Sequence, residues 1–272
     1  AYSVTITPQA AGTVTVNLPA NAAQNAAAAG STASNTVSVT YTPATSTPVT
    51  LAGQDVGTVN VAGSTAVSGG VYTLKGSGDD IFGTADGFQY ATMLLTGNGE
   101  IRARITSQTN TNPWAKTGVM IREALSGSAR HVTAFTTPAA ENNGFGMAWR
   151  ATAGGASSYA GGPAVNAAPN NWVRLVRDGN NITAYASANG SAWTQMDTAT
   201  LAGLANVVRI GLAVTSSSPQ ELATATFDNV QVIQATTAPA GSITESNVLG
   251  DGYGGGSDGP IVADADFDGD GV

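Results

Sequence analysis

The sequence contains no cysteine among its 272 residues, and only 10% of its residues are charged. The missing cysteines exclude disulfide bonds, thiolate metal sites and cysteine nucleophiles. No run of about 18 apolar residues is present, so we expect no membrane insertion. Globular proteins average roughly 25% charged residues. Here Thr, Ser, Asn, Gly and Ala supply the surface instead, which is typical of a β-rich extracellular or cell-surface module.

The charges that are present are unevenly distributed. All ten Lys and Arg residues lie between Lys75 and Arg209. Residues 1–74 contain one acid, Asp55, whereas residues 235–272 contain seven acids and no base. The net charge of −8 therefore arises mainly in the C-terminal tail. This distribution disfavours nucleic acid as a partner.

Period-two alternation of apolar and polar residues runs through the sequence, and helix-period patterns are nearly absent. Three alternating runs near the N-terminus are Tyr2–Thr7, Thr13–Leu18 and Thr36–Tyr41. Further strands are predicted at intervals of about 10–15 residues: Val71–Lys75, Gln89–Leu95, Gly99–Thr106, Lys116–Glu123, His131–Thr136, Gly144–Ala151, Trp172–Asp178, Ile182–Ser187, Val208–Val214 and Ala223–Ile233.

Tight turns are predicted where glycines separate these strands. The segments Gly97-Asn98-Gly99, Asp178-Gly179-Asn180 and Ala188-Asn189-Gly190 supply the positive-φ positions that hairpins need. Many short strands with such turns predict an all-β, two-sheet antiparallel jelly-roll sandwich over residues 55–233. Residues 43–54 are rich in Pro and Thr and are interpreted as a linker.

Residues 1–42, which contain TVTVNLP and ASNTVSVTY, resemble the C-terminal part of a bacterial immunoglobulin-like repeat. The resemblance implies a partial immunoglobulin-like β segment that lacks its first strands. Such a segment would expose unpaired strand edges. We therefore expect residues 1–42 to pack on another chain or on the jelly roll.

Residues 55–233 resemble the concanavalin A-like and laminin-G-like jelly rolls of bacterial extracellular proteins. The segments that carry this resemblance include Asn112–Glu123 (NPWAKTGVMIRE), Trp172–Arg177 (WVRLVR) and Ser187–Gln195 (SANGSAWTQ). The resemblance implies the fold and an extracellular location. It implies no particular ligand.

The acidic end of the chain, within a tail that spans 234–272, resembles the start of a dockerin or thrombospondin-type Ca²⁺ loop. Carboxylates at loop positions 1, 3 and 5 with glycine at position 6 are the pattern of such a site, and position 12 would fall after the last residue. A second register begins at Asp264, and a solvated acidic tail is the alternative. The candidate Ca²⁺ ligands are Asp264, Asp266, Asp268, Asp270 and the carbonyl of Val272.

A second Ca²⁺ site is a hypothesis within the jelly roll. Asp79, Asp80 and Asp86 cluster in one predicted loop, and Asp228 lies in the last strand. Laminin-G-like folds often hold calcium at the rim of the sandwich. Alternatively, these carboxylates cap turns.

A ligand site is predicted around the strand Lys116–Glu123. Alternation places Lys116, Gly118, Met120 and Arg122 on one face, where the basic groups could bind sugars. Aromatic side chains could provide stacking surfaces; the candidates in or near this site are Trp114, Trp149 and Tyr159, with Trp172 as a further one. The alternative is that the tryptophans belong to the core and that the basic groups form ion pairs.

Catalytic signatures are weak. His131 is the only histidine, and no G-x-S-x-G segment is present. The acids Glu100, Glu123 and Glu141 do not form the closely spaced set expected of a related glucanase. We therefore expect no enzyme activity.

Two non-catalytic functions fit the sequence. One is a structural or adhesive surface module, a possible filament subunit that joins copies of itself or neighbouring modules by strand addition and calcium. The other is a carbohydrate-binding module of a large secreted polysaccharide-degrading protein.

Overall fold

The computed structural model describes residues 12–17, 19–21, 30, 33, 36–41, 49–138, 143–164 and 169–234. Within these ranges the chain forms sixteen β-strands and no helix, which confirms the predicted all-β class. Among the same residues, no helix is long and apolar enough to cross a lipid bilayer. The predicted strand Tyr2–Thr7, residue Glu141 and the acidic tail lie outside the described residues.

Two strands, β1 (Gly12–Val16) and β2 (Val37–Tyr41), form an antiparallel pair by themselves. They coincide with two of the alternating runs near the N-terminus. Within the described residues, neither strand pairs with any other. A two-stranded sheet is marginally stable alone.

The remaining fourteen strands form a sandwich of two seven-stranded antiparallel sheets. Sheet I has the order β11-β10-β9-β8-β15-β6-β3, and sheet II has the order β14-β13-β12-β7-β16-β5-β4. The strands of sheet I are β3 (Ala52–Gly57), β6 (Gly87–Thr96), β8 (Lys116–Arg122), β9 (His131–Thr136), β10 (Phe145–Arg150), β11 (Ser158–Gly161) and β15 (Val207–Thr215). Those of sheet II are β4 (Ser64–Ser68), β5 (Val71–Gly76), β7 (Gly99–Gln108), β12 (Asn171–Asp178), β13 (Asn181–Ser187), β14 (Thr194–Thr200) and β16 (Ala223–Gln234).

All ten strands predicted for the jelly roll are confirmed, with ends that differ by at most two residues. The predicted turns are confirmed too, because Gly97, Gly179 and Gly190 have φ values of 69°, 55° and 73°. The strands that alternation did not reveal are β3, β4, β11 and β14, which are the four edge strands of the two sheets. Edge strands have one neighbour and less burial, so their apolar alternation is weak.

The main core lies between the sheets. Alternate residues of each strand enter it, such as Ile101 and Ile105 of β7, Val119 and Ile121 of β8, and Leu175 of β12. Sheet II alternates buried and half-buried residues along β12, as expected when one face meets the core and the other meets water.

Sheet I is different, because both faces of its central strands are buried. All seven residues of β8 and all six of β9 are buried. A second, smaller core covers the outer face, where Met120 packs with Ile81 of the β5–β6 loop, with Phe88 and Tyr90 of β6, and with Leu125 of the β8–β9 loop. Loops therefore cover much of the outer face of sheet I.

Candidate functional site

Two exposed aromatic side chains meet at the outer face of sheet I, near its β11 edge. Trp114, in the β7–β8 loop, is 44% exposed, and Tyr159 of β11 is 41% exposed. Their ring centroids are 6.0 Å apart, and the ring planes meet at 87°. The ring of Phe135, which is fully buried, lies 6.4 Å from that of Tyr159. We call Trp114, Tyr159 and Phe135 the aromatic corner.

The backbone around Trp114 is fixed by three polar side chains. The amide of Trp114 donates to Oδ1 of Asn112 at 2.8 Å, and its carbonyl accepts from Oγ of Ser217 at 2.8 Å. Nδ2 of Asn143 donates to the carbonyl of Pro113 at 2.7 Å. These bonds hold the exposed tryptophan in place before any ligand arrives, which lowers the entropy lost on binding.

Tyr159 takes its position from a glycine beneath it. Gly146 of β10 lies between Phe135 and Tyr159, and a Cβ added to it would be 2.7 Å from the first ring and 2.8 Å from the second. Any side chain at position 146 would therefore push these rings apart. Burial of part of its ring raises the pKa of Tyr159, so its hydroxyl stays protonated near neutral pH.

A buried lysine supports the corner from below. Nζ of Lys116 lies 5.7 Å from the centroid of Trp114 and 5.3 Å from that of Phe135. It donates to the carboxylate of Asp80 and, at 3.2 Å, to the carbonyl of Trp114. Burial lowers the pKa of Lys116, and the charge of Asp80 opposes that effect. The charges of Lys116 and Asp80 cancel, so this ion pair adds little net charge to the corner.

The polar groups of the corner itself remain available. Neither the indole N–H of Trp114 nor the hydroxyl of Tyr159 forms a hydrogen bond with a described residue. The corner thus offers two ring surfaces, one donor, and one group that both donates and accepts. This combination suits a ligand with apolar faces and hydroxyl edges.

Arg122, the other basic candidate on β8, is fully buried and takes part in a different structure. Its Nη1 donates to Oδ2 of Asp86 at 3.1 Å, and Arg150 donates to both carboxylate oxygens of Asp86, at 2.8 and 2.6 Å. The side chains of Asp86, Arg122 and Arg150 have no exposed surface. A ligand at the surface therefore cannot touch Arg122.

The two arginines also hold the loops that cover sheet I. Arg122 donates to the carbonyls of Ala124 and Ser126 at 2.7 and 2.6 Å. Arg150 donates to further carbonyls in three loops: Phe82, Gly83, Gly127, Ala129 and Gly155. We call Asp86, Arg122 and Arg150, together with His131 beside them, the buried ion cluster.

His131 is fully buried within this cluster. Its Nδ1 is 3.1 Å from Oγ1 of Thr133, and its Nε2 lies 3.6 Å from Oδ1 of Asp86 without a hydrogen bond. Burial lowers the pKa of His131 to about 3, the charge of Asp86 opposes this, and the two arginines reinforce it. The imidazole is therefore neutral at physiological pH.

The proposed Ca²⁺ ligands of the jelly roll do not converge. Asp80 pairs with Lys116, and Asp86 pairs with two arginines. Asp228 pairs with Arg104, on the outer face of sheet II. Asp79 is exposed. Within the described residues, no group of three or more His, Cys, Asp or Glu side chains is placed to hold a metal ion. The candidate ligands Asp264 to Val272 lie outside those residues.

The other candidates are separate from the aromatic corner. Trp149 of β10 is half-buried and packs against the main core, as the core alternative for the tryptophans anticipates. Glu100 pairs with Arg174, and Glu123 pairs with Arg130, so neither carboxylate is free. The structure therefore brings together Trp114, Lys116 and Tyr159 and leaves Arg122 and Trp149 elsewhere.

Sequence reasoning missed Arg150 and the buried ion cluster. One signal was present: the buried strands β8 and β10 both end in arginine after an apolar run, as GVMIR and GMAWR. A charge at the end of such a strand needs a buried partner. The sequence could not reveal that Asp86 is that partner for both, because the three residues are 28 or more positions apart.

Comparison with known proteins is consistent with this architecture. The sequence matches no protein-family model and no curated protein. The structure is similar to a functionally unknown protein from Saccharomyces cerevisiae, with a TM-score of 0.54, 12% identity, and coverage of 68% of this chain and 97% of that one. It is also similar to the carbohydrate-binding module CBM66 from Bacillus subtilis, with a TM-score of 0.45, 15% identity, and coverage of 67% and 95%. At these identities the similarity concerns the fold alone.

Proposed function

We propose that this chain is a non-catalytic extracellular module that binds a neutral glycan at the aromatic corner. The observation that carries the proposal is the pair of exposed rings of Trp114 and Tyr159, whose indole N–H and hydroxyl form no hydrogen bond within the described part of the chain. A pyranose has one face of C–H groups that packs on an aromatic ring, and its hydroxyls need hydrogen-bond partners at the edge. The corner supplies both.

The charge at the corner favours an uncharged ligand. Among the described residues, the charged groups around its rings are Lys116 and Asp80, which neutralise each other. A carboxylate or sulfate placed on the rings would find no unpaired cation among the described residues there. A neutral polysaccharide meets no such penalty.

Retardation in gels that contain soluble neutral polysaccharides tests this proposal. The substitution Trp114→Ala removes one of the two exposed rings, and we expect it to weaken retardation by about tenfold, which corresponds to ~1.4 kcal/mol. Tyr159→Phe keeps the ring and removes the hydroxyl, so it should have a smaller effect. Leu94→Ala is the matched control, because Leu94 is 54% exposed on the same sheet but away from the corner.

Two results would contradict the proposal. One is that no neutral polysaccharide retards the wild-type protein. The other is that Trp114→Ala and Leu94→Ala behave alike on a polysaccharide that does. Blue-shifted tryptophan emission on binding, absent in Trp114→Ala, is an independent readout because Trp114 is the most exposed of the four tryptophans.

The absence of catalysis is part of the proposal. It is supported by the environment of His131, which is buried and neutral, and by the pairing of Glu100 and Glu123 with arginines. A general acid or base must reach its substrate, and none of these three side chains is free to do so. Turnover of a bound polysaccharide would contradict it.

A second function, adhesive self-assembly by strand addition, is favoured by the pair β1–β2. Within the described residues these strands pair only with each other, so each offers an edge to which a strand of another copy can be added. We expect the full chain to form oligomers in light scattering, and calcium chelation to dissolve them if the tail contributes. A monomer at all concentrations, with and without calcium, would refute this function.

A further inference from the structure

The outer face of sheet II carries three neighbouring arginines. Ile101 and Ala103 of β7 enter the main core, so Arg102 and Arg104 point away from it. Arg174 of β12 is the direct cross-strand partner of Arg102. All three side chains are half-buried. Like charges directly opposite each other destabilise a sheet unless something compensates for them.

Two of the three arginines have a carboxylate partner. Nε of Arg104 donates to Asp228 at 2.7 Å, and its Nη2 donates to the same carboxylate. Nε of Arg174 donates to Glu100 at 2.8 Å, and its Nη2 donates to the same oxygen. The hydrogen bonds from Arg104 lower the pKa of Asp228. Each of these two charges is therefore neutralised within the protein.

Arg102 is the exception, because its partner is neutral. Its Nε and Nη2 both donate to Oε1 of Gln231, the first at 2.8 Å. The amide orients the guanidinium but does not neutralise it. The three arginines carry three positive charges against the two negative charges of Asp228 and Glu100, so the unmatched charge among them is that of Arg102.

A β-bulge places the neutral partner there. Asp228 lies opposite Arg104, and regular pairing would place residue 230 opposite Arg102. The register instead shifts between Asp228 and Gln231, with Asn229 at a φ of 49°. Bulges re-aim side chains and often occur beside functional sites. Here the extra residue brings an amide, where an apolar Val230 would otherwise lie.

The guanidinium groups are pre-positioned for a ligand. Arg104 lies over the ring of Trp172 at 5.7 Å, and Arg174 lies over that of Tyr185 at 5.3 Å. These stacking contacts restrict long side chains that would otherwise be flexible. Each of the three arginines uses Nε and Nη2 internally, and Nη1 of none of them donates to a described residue. As far as the described residues go, three donor groups therefore remain unused on one face.

We propose that this arginine face binds an anionic polysaccharide, with a carboxylate or sulfate group of the sugar at Arg102. A guanidinium with free N–H groups suits an oxyanion. Beyond Arg104 the face continues into the hydroxyls of Thr106, Ser107 and Thr226, which are hydrogen-bonded together. The charged, amide and hydroxyl groups of this face match the acidic groups and hydroxyls of a hydrated polyol.

This site is independent of the aromatic corner. It lies on sheet II, whereas the aromatic corner lies on sheet I, and it binds an anionic ligand where the corner binds a neutral one. A negative result at one site therefore does not affect the proposal for the other. Because the whole chain carries a net charge of −8, a polyanion is repelled overall. Retention on a polyanion therefore requires a local cationic site.

The test is affinity electrophoresis of the full chain, which measures its retardation in gels that contain one of four soluble polymers: polygalacturonate, dextran sulfate, neutral dextran or polyglutamate. We expect retardation by one or both anionic polysaccharides, weakened at high salt. Arg102→Gln should weaken it at least tenfold. Gln231→Glu should do the same, because a carboxylate opposite Arg102 would neutralise it as Asp228 neutralises Arg104.

The controls match these changes in charge. Arg209→Gln removes a half-buried arginine from sheet I, and Gln220→Glu adds an acid in an exposed loop; both should stay within twofold of wild type. Gln231→Glu should also unfold at the same temperature as wild type or higher, so lost binding in this variant does not reflect lost folding. Retardation by polygalacturonate alone assigns the site to carboxylates, and retardation by dextran sulfate alone assigns it to sulfates.

Three outcomes would overturn the proposal. The first is that neither anionic polysaccharide retards the wild-type chain. The second is that Arg102→Gln and Gln231→Glu bind as the controls do. The third is that polyglutamate retards the chain as strongly as the anionic polysaccharides, which would make the site one for acidic polypeptides. Loss of neutral-glycan binding in Trp114→Ala has no bearing on any of these.

Discussion

Acidification should destabilise this protein through His131. In the unfolded chain a histidine takes up a proton below about pH 6.5. In the folded chain burial lowers the pKa of His131 to about 3; the charge of Asp86 opposes this effect, and the charges of Arg122 and Arg150 reinforce it. Between these two values the unfolded state binds the extra proton, so the free energy of unfolding falls as pH falls. Each pH unit inside the window costs up to ~1.4 kcal/mol.

From pH 7 to pH 4 this sums to about 3 kcal/mol, a large part of a typical stability of 5–15 kcal/mol. Urea unfolding of wild type and His131→Gln at both pH values measures it. Protonation of other acids with lowered pKa values, such as Asp228 and Glu123, also reduces the free energy of unfolding on acidification. That reduction is equal in wild type and in His131→Gln. We expect wild type to lose about 3 kcal/mol more than the variant.

The opposite sign would refute the reasoning. If Asp86 formed a charged pair with the imidazole in the folded protein, the pKa of His131 would be raised. Wild type would then gain stability relative to His131→Gln as the pH falls toward about 6.5 and would keep that gain at lower pH. Equal losses in the two proteins would show that His131 keeps its ordinary pKa, and that burial does not suppress its protonation.

Three further substitutions test the packing around the same cluster and the start of the sandwich. Asp86→Asn leaves two buried arginines without a countercharge, so thermal or urea unfolding should show a loss of about 3–5 kcal/mol. Gly57→Ala should cost more than Gly69→Ala, although both have positive φ, because only at Gly57 would the new Cβ lie 1.8 Å from the carbonyl oxygen of Asp86; similar losses would contradict this. Tyr72→Phe should cost about 1–3 kcal/mol, because the buried hydroxyl donates to the carbonyl of Val49; urea unfolding without any loss would refute it.

The strands that could be predicted from the sequence are those in which burial on one side imposes an alternation of apolar and polar residues. β12 (NWVRLVRD) is buried on one side only, and its alternation is plain in the sequence. The edge strand β4 (STAVS) is mostly exposed, so burial selects few of its residues and no alternation results. β3 (AGQDVG) is another edge strand, and it begins inside the segment interpreted as a linker.

The candidate site was predicted in part for a similar reason. Trp114 and Tyr159 are large residues in a chain with 6% aromatics, so residue type alone made them candidates. That Lys116 lies under their rings depends on the pairing of distant strands, which a single sequence does not determine. The two faces predicted for β8 from alternation are confirmed, because Val119 faces the main core and Met120 faces the second core. The alternation did not show that loops cover the outer face of sheet I, on which Met120 lies.

That cover determines where a ligand can bind on sheet I. The second core and the buried ion cluster fill the middle of the outer face, and the cluster fixes the covering loops through many hydrogen bonds to their carbonyls. Opening this face would expose apolar residues such as Met120 and Phe88 and leave Asp86 or its arginines unpaired, at a cost of several kcal/mol. The rings of Trp114 and Tyr159 stay exposed beside this cover, so we expect the proposed glycan to bind at the rim and not over the middle of the sheet. Because β11 is short and lies at the sheet edge, a long polymer could pass this rim without entering a closed pocket, so binding should tolerate extension of the chain at both ends.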